Sequence, residues 1–217
     1  RHDRLVALGD ELGAAVLPFA LDIADPAAVA ALQGALPHAW REIDLLVNNA
    51  GLALGREPAQ QADLDDWERM VQTNVAGLMR CCHALLPAMV ARGRGHIVNV
   101  GSIASQFPYP GSHVYGASKA FVRQFSLGLK SDLVGTGVHV SVVEPGMVGG
   151  SEFSDVRFKG DRDRVAAIYA SVMTLQPEDV AAAIAWIAAQ PDRVNVSMLQ
   201  LMPVDQGPGP TIVHRHA

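Results

Sequence analysis

Cysteine is scarce in this sequence: 217 residues hold only Cys81 and Cys82. The two are adjacent, and neighbours on a helix point in different directions, so they do not form a disulfide framework. Reduced, buried thiols in a cytoplasmic protein are the expectation. Long apolar runs are also missing. The longest, Val180 to Ala189 around Trp186, is far too short to cross a bilayer, and no membrane role is expected. Positive charge is not in excess either: 17 Lys and Arg face 22 Asp and Glu, for a net charge of −5. Nucleic acid demands clustered basic residues, so it is not an expected partner. No secretory signal pattern opens the chain. His214 and His216 stand at i, i+2 without carboxylates beside them, and no metal is expected.

What remains is an ordinary globular balance, with 49% apolar and 18% charged residues. The length suits a single domain over residues 1–217 with a core that needs no staples. Helical and strand patterns alternate. Residues 3–12 read as helix, 15–22 as an apolar strand ending in Asp22, and 25–36 as helix with Asp25 as cap and Pro26 at its first position. "IDLLVNNAG" (43–51) is a strand entering a small-residue turn. Residues 64–91 are helical, with a change expected near Asn74 to Gly77. Strand 95–102, helix 112–134, strand 138–146, helix 176–190 and a last strand within 194–204 follow. Such alternation implies an α/β fold, a doubly wound parallel sheet with helices on both faces. Ligands in these folds sit outside the carboxyl ends of the strands. Asp22, Asn48 to Gly51, Ser102 and Pro145-Gly146 mark those ends.

Tyr115 and Lys119 are spaced i, i+4 and share a helix face. A phenol is a poor acid or base at neutral pH, and a nearby ammonium favours the phenolate, so the pair can move a proton. Taken alone, the spacing fits equally an exposed tyrosine lying along a lysine stem. Ser102 ends a strand thirteen residues upstream, where its hydroxyl could meet a carbonyl oxygen beside Tyr115. Asn74 is a poor helix former in mid-helix, either solvated or holding a backbone distortion or a water. "NNAG" (48–51) lets a ligand approach the backbone closely.

Asp22, "NNAG", Asn74, Ser102, the Tyr115–Lys119 pair and "PGMVGG" (145–150) together resemble the classical short-chain dehydrogenases/reductases. "NNAGLALGREPA" (48–59), "YGASKAFVRQFSL" (115–127), "EPGMVGGSEFSDVRFKGD" (144–161) and "LQPEDV" (175–180) are similar to the NADP-dependent 3-hydroxy acid dehydrogenases, a group that includes serine/allo-threonine dehydrogenase and malonic semialdehyde reductase. The resemblance covers essentially the whole chain and implies a Rossmann-type fold. It makes Tyr115 the general acid/base, with Lys119 lowering its pKa and holding the nicotinamide ribose. Ser102 would hydrogen-bond the substrate oxygen, and Asn74 would hold a water that relays protons to Lys119. Asp22 and Ile23 would contact adenine, and Asn48, Ala50 and Gly51 would flank the adenosine ribose. Pro145, Gly146, Val148, Gly149, Gly150, Ser151, Glu152 and Phe153 would wrap the nicotinamide. Arg1 would read the 2′-phosphate of NADP, as suits a guanidinium.

The family opens with a strand, a glycine-rich turn, a helix and a second strand, a unit of roughly 30 residues. No G-x-x-x-G-x-G precedes Arg1, so the fold is expected to be N-terminally truncated and the chain to be a fragment lacking its pyrophosphate cradle. In the family's sheet order, 3-2-1-4-5-6-7, this would leave strand 15–21 without a neighbour and strand 43–47 as an edge.

The expected reaction is hydride transfer between NADP and a small 3-hydroxy acid. A broader carbonyl or hydroxysteroid reductase, and a catalytically silent dinucleotide-binding protein, are the alternatives. In the charged stretch 154–164, Arg157 lies nearest the site in sequence and is the expected partner of the substrate carboxylate. The other reading of that stretch is a solvated loop. His113 reads as a surface histidine. The family pairs helices 64–91 and 112–134 across an axis, which implies a homodimer or homotetramer.

Overall fold

The structure, a computed structural model, describes residues 2–209 and 212–216. Arg1 lies outside the described residues. Four parallel strands form one sheet in the order β1-β2-β3-β4: β1 Leu45–Asn48, β2 Gly95–Val100, β3 Val138–Pro145 and β4 Met198–Leu201. Asn48 pairs with Asn99, and Val143 with Leu199, so the strand ends are level along one edge of the sheet. Runs of Val and Ile suit a sheet covered on both faces.

Successive side chains feed opposite layers. Ile97, Val140 and Val142 join Leu78, Cys82, Met89 and Val122 in one core. Val98 and Val143 join Ile187 in another. Each of these fully buried side chains contributes about 1.5–3 kcal/mol. The helices are α1 His2–Leu12, α2 Pro26–Ala35, α3 Leu64–Val71, α4 Leu78–Arg92, α5 His113–Asp132, α6 Phe153–Arg157, α7 Arg162–Tyr169 and α8 Pro177–Ala188. Asp25 caps α2, accepting from the amides of Ala27 and Ala28, with Pro26 opening the helix.

A π-helical turn, Gln72–Gly77, joins α3 to α4, where the sequence predicts a change of helix. The joined helix, Leu64–Arg92, is long and apolar enough to cross a membrane by length and composition. Here α4 instead buries Leu78, Cys81, Cys82, Leu85 and Met89 against the protein.

One expectation fails. Residues 15–21 are not a strand. A strand exists by pairing, and the described residues offer this segment no partner. Leu17, Phe19 and Leu21 pack instead on Leu32, Leu36 and Leu85, with Ile43 and Leu46 beside them. Asp22 therefore follows an extended segment and not a sheet strand, while β1 is the sheet edge, with Leu45 exposed. The stretch 154–164 is largely exposed, with Ser154, Arg157 and Phe158 buried, but it is not a plain loop. Most of it is helical, in α6 and α7, and Asp161 caps α7 by accepting from Arg164 N.

Candidate active site

The end of β2 delivers Ser102 in extended backbone, its hydroxyl accepting from Ala104 N at 3.1 Å to start the 3-10 turn Ile103–Ser105. A Cβ on Gly101 would lie 3.0 Å from Val142 and 3.1 Å from Glu144, so glycine lets this strand end sit close against β3. Helix α5 lies across the same turn. Its Gly116 is 3.1 Å, measured from a would-be Cβ, from Ala104 O. The small residues between Tyr115 and Lys119 thus bring α5 onto the serine turn.

Tyr115 and Lys119 are both buried, at 8% and 7% exposure. The Lys119 ammonium donates to Val100 O at 2.8 Å and lies 5.9 Å from the Tyr115 ring centre. Asn74, on the π turn, holds the segment after β1. Its amide donates to Leu52 O (2.8 Å) and Ser118 Oγ (3.0 Å) and accepts from Leu52 N (2.9 Å). Gly51 closes the ring: a Cβ there would meet Asn74 Oδ1 at 3.3 Å and Lys119 Nζ at 3.4 Å. Sequence positions 51, 74, 102, 115 and 119 therefore share one site at the carboxyl edge of the sheet.

Burial pushes the Tyr115 phenol up to about 12, against the pull of a hydrogen bond with Ser102 and of the Arg157 charge. Burial also pushes Lys119 down to about 8. Desolvation is the larger influence on the phenol. With the phenol above its usual value, Tyr115 stands as a proton donor in the free chain.

The proposed cofactor residues come from several segments. Asp22 is exposed and accepts from Ala24 N at 2.9 Å. Ile23 packs on Gly77, where a Cβ would come within 2.8 Å of its side chain. Ala50 and Gly51 are exposed. Asn48 is different. Its side chain turns into the sheet, donating to Asn99 Oδ1 (2.8 Å) and Cys82 Sγ (3.2 Å), so only its backbone can face a ribose. After β3, Gly146 N donates to Leu201 O, Met147 N to the Gln206 side chain and Gly149 N to Leu175 O, while Val148 bridges Leu175. Pro145 still pairs with Leu201. Gly150 has φ 67°, natural for glycine. Ser151 and Glu152 are exposed, Glu152 pairing with Arg4, and Phe153 opens α6 with its ring 5.7 Å from Tyr115.

Arg157 is 7% exposed and faces the site. Its Nε donates to Gly55 O (3.1 Å) and Nη1 to the Tyr109 hydroxyl (2.8 Å), while Nη2 is buried with no partner among the described residues. The guanidinium carbon lies 5.8 Å from the Tyr115 ring centre. His113 is half-buried, its Nε2 3.3 Å from Glu57 O and its ring edge-on to Trp67.

Sequence reasoning missed one group. Glu144, the next-to-last residue of β3, is 0% exposed. It accepts from Ser105 Oγ (2.5 Å), Gln106 Nε2 (2.9 Å) and Arg123 Nη1 (2.8 Å). One carboxylate thus ties together the serine turn, α5 and the start of the 145–153 segment. Two signals were readable: an acid inside the apolar run "VHVSVVEP", and Arg123 four residues beyond Lys119 on the same helix face.

A parallel sheet whose second strand ends in a serine, facing a tyrosine and lysine one turn apart on a following helix, is the arrangement of a short-chain dehydrogenase. The chain belongs to that family, whose model, described as short chain dehydrogenase, matches residues 1–161. Among its relatives, the NADP-dependent 3-hydroxy acid dehydrogenase YdfG of Salmonella typhi is 53% identical over 215 residues, 99% of this chain and 87% of that protein. The serine 3-dehydrogenase of Rhizobium radiobacter is 48% identical over 206 residues, 95% of this chain and 82% of that one. A solved structure of serine dehydrogenase in its closed form, complexed with NADP+, superposes with a TM-score of 0.95 at 50% identity, covering 100% of this chain and 87% of its own.

Proposed function

We propose that this protein is an NADP-dependent oxidoreductase that interconverts small 3-hydroxy acids and 3-oxo acids, of the serine, allo-threonine or 3-hydroxypropionate type. The observation that carries the reading is the convergence of Ser102, Tyr115 and Lys119 beside the unpartnered Nη2 of Arg157. A buried guanidinium nitrogen without a partner is costly, and a substrate carboxylate would satisfy it. The relatives' NADP dependence and their action on hydroxy acids and serine support the same reading.

Ala50 and Gly51 are exposed, and Gly51 has no side chain to stand between a ribose and Lys119 Nζ, so the residues present fit the cofactor. NADP, when bound, supplies the hydride acceptor or donor. Lys119 would hold the ribose hydroxyls, and Asp22 and Ile23 would border the adenine. Arg1, outside the described residues, is the candidate for the 2′-phosphate. In reduction, Tyr115 would give its phenolic proton to the substrate oxygen. In oxidation it takes the hydroxyl proton back. Ser102 donates a hydrogen bond to that oxygen. Asn74 acts by fixing Leu52 and Ser118 around Lys119, and its amide can also face a water there. Burial supports this chemistry, because fixed dipoles act most strongly where water is excluded.

The reduced state of Cys81 and Cys82 fits a cytoplasmic protein. Val71, Met79 and Val90 leave exposed apolar surface on the α3–α4 helix, which supports assembly into a homodimer or homotetramer, checked by sedimentation. The function is tested by following NADPH formation with serine, allo-threonine, 3-hydroxypropionate and 3-hydroxyisobutyrate, with NAD in parallel. Tyr115→Phe should lose at least about 1,000-fold in kcat; turnover equal to the parent's would remove the mechanism.

A further inference from the structure

Next to Arg157 the surface holds a cavity of about 390 Å³, lined by Arg56, Phe158 and Arg164 with Pro110, Ala167 and Ile168. The cations around it alternate with aromatic rings. Arg56 and Arg157 both lie over Tyr109, at 5.3 and 5.4 Å from its centre. Arg157 and Arg164 both lie over Phe158, at 5.9 and 4.6 Å. Three guanidinium groups are thus gathered by two rings in a protein whose net charge is −5.

Negative charge does not match them. Glu57 is 3.6 Å from Arg164, and its other oxygen accepts from Arg56 N. Asp66, which borders the adjoining recess with Asp63, is already paired with Lys159 at 2.9 Å. Among the described residues the Arg56 guanidinium has no hydrogen-bond or ion-pair partner, only the Tyr109 ring. Burial and the charges of Arg157 and Arg164 hold Arg56 below its ordinary value. Three like charges that share one carboxylate, Glu57 on Arg164, beside an open cavity define a place for a further anion.

We propose that this cavity is a second carboxylate subsite, so that the protein accepts dianionic acids with one carboxylate on Arg157 and the other between Arg56 and Arg164. The proposal rests on the assignment of Arg157 as the first carboxylate's anchor. The planar fork of arginine pairs with carboxylate two bonds at a time, and its apolar faces are already stacked here, so little ordering remains on binding.

The test is calorimetric titration of the protein, with and without NADP. Malonate, succinate and glutarate are the dianionic probes, and acetate, propionate and butyrate the monoanionic ones. At least one dicarboxylate should bind about tenfold or more tightly than the monocarboxylate of the same length. Arg56→Ala with Arg164→Ala should cut that advantage to within about twofold and leave monocarboxylate affinity unchanged, while Lys at both positions should restore part of it. Equal affinities in the parent, or an advantage that survives the double substitution, would overturn the subsite. Arg157→Lys, with Arg157→Ala as the harsher variant, reads the anchor separately. Monocarboxylate affinity unchanged in both would overturn Arg157 as anchor, whatever the second pair does.

Discussion

Replacing Arg123 with alanine tests how the serine turn is held. The Glu144 carboxylate is fully buried and has three donors, of which Arg123 alone carries charge. Removing one partner of a buried ion pair costs roughly 3–5 kcal/mol, because the other charge stays buried and uncompensated. The Arg123 side chain is 28% exposed, so water can enter the space it leaves. Ser105 and Gln106 still donate, which together with that water brings the loss just below this range, to about 2–3 kcal/mol. In a domain of this size each kcal/mol shifts Tm by about 2–4 °C, so Arg123→Ala should melt roughly 4–12 °C lower. Activity should respond through Ser102, whose turn is anchored to Glu144 by Ser105. A displacement near 1 Å at a reacting group costs about 100-fold, so kcat should fall about 10- to 100-fold in folded Arg123→Ala and Glu144→Gln. Urea unfolding and steady-state kinetics measure the two effects. A double-mutant cycle with Ser102→Ala separates positioning from general loosening: once Ser102 is gone, Glu144→Gln should cost less than about threefold further. Additive losses in that cycle, or an Arg123→Ala protein melting within 1 °C of the parent, would refute the reasoning.

Lys119 offers a second test. Its folded value near 8 lies below its usual one, so the unfolded chain binds more protons between about pH 8 and 10.5, and stability rises with pH across that window. At pH 7 the buried ammonium opposes folding by about 3 kcal/mol before its bond to Val100 O is counted. Lys119→Met should therefore be inactive yet at least as stable as the parent at pH 7, with a flatter stability profile up to pH 10 by urea titration. His96 is pushed down to about 4, by burial first and then by His139 and Lys130. Its contribution to stability is full above about pH 6.5 and is lost as pH falls toward 4, so His96→Gln should flatten the acid limb of the Tm curve. Gly51→Ala puts a methyl beside Asn74 and Lys119 and should lower kcat/KM about tenfold while Tm moves by less than 2 °C. A loss of Tm without loss of kcat/KM would show that Gly51 serves folding alone.

Much of this was readable one residue at a time. Tyr115 and Lys119 share a face because helical spacing requires it. Asp25 and Pro26 announce α2, and Asn74 with Gly77 marks the break in the long helix, since neither residue favours a helix interior. What stayed hidden depends on partners distant in sequence. Residues 15–21 have the composition of a strand, but a ladder needs a neighbour that no local pattern supplies. Glu144 and Arg123 are individually unremarkable, and only the crossing of α5 over β3 makes them a pair. The basic stretch 154–164 looks solvated until α6 turns Arg157 inward onto Tyr109 and Tyr115. The burial of Tyr115 was hidden for a related reason: spacing gives the nearness of a cation, and burial is set by the whole fold.

The π turn at Gln72–Gly77 has a consequence for how the chain tolerates change. Each residue advances a helix by about 100°, so the wider turn resets the phase between α3 and α4. One side of the reset sends Met70 into the layer with Ala53, Leu54 and Tyr115. The other sends Leu78 and Cys82 into the layer under the sheet. A single rod could keep only one of these alignments. Deleting any one residue within 72–77 would restore a regular helix and unseat either Asn74 or half of a core. The segment is thus a place where length, more than residue identity, is under constraint.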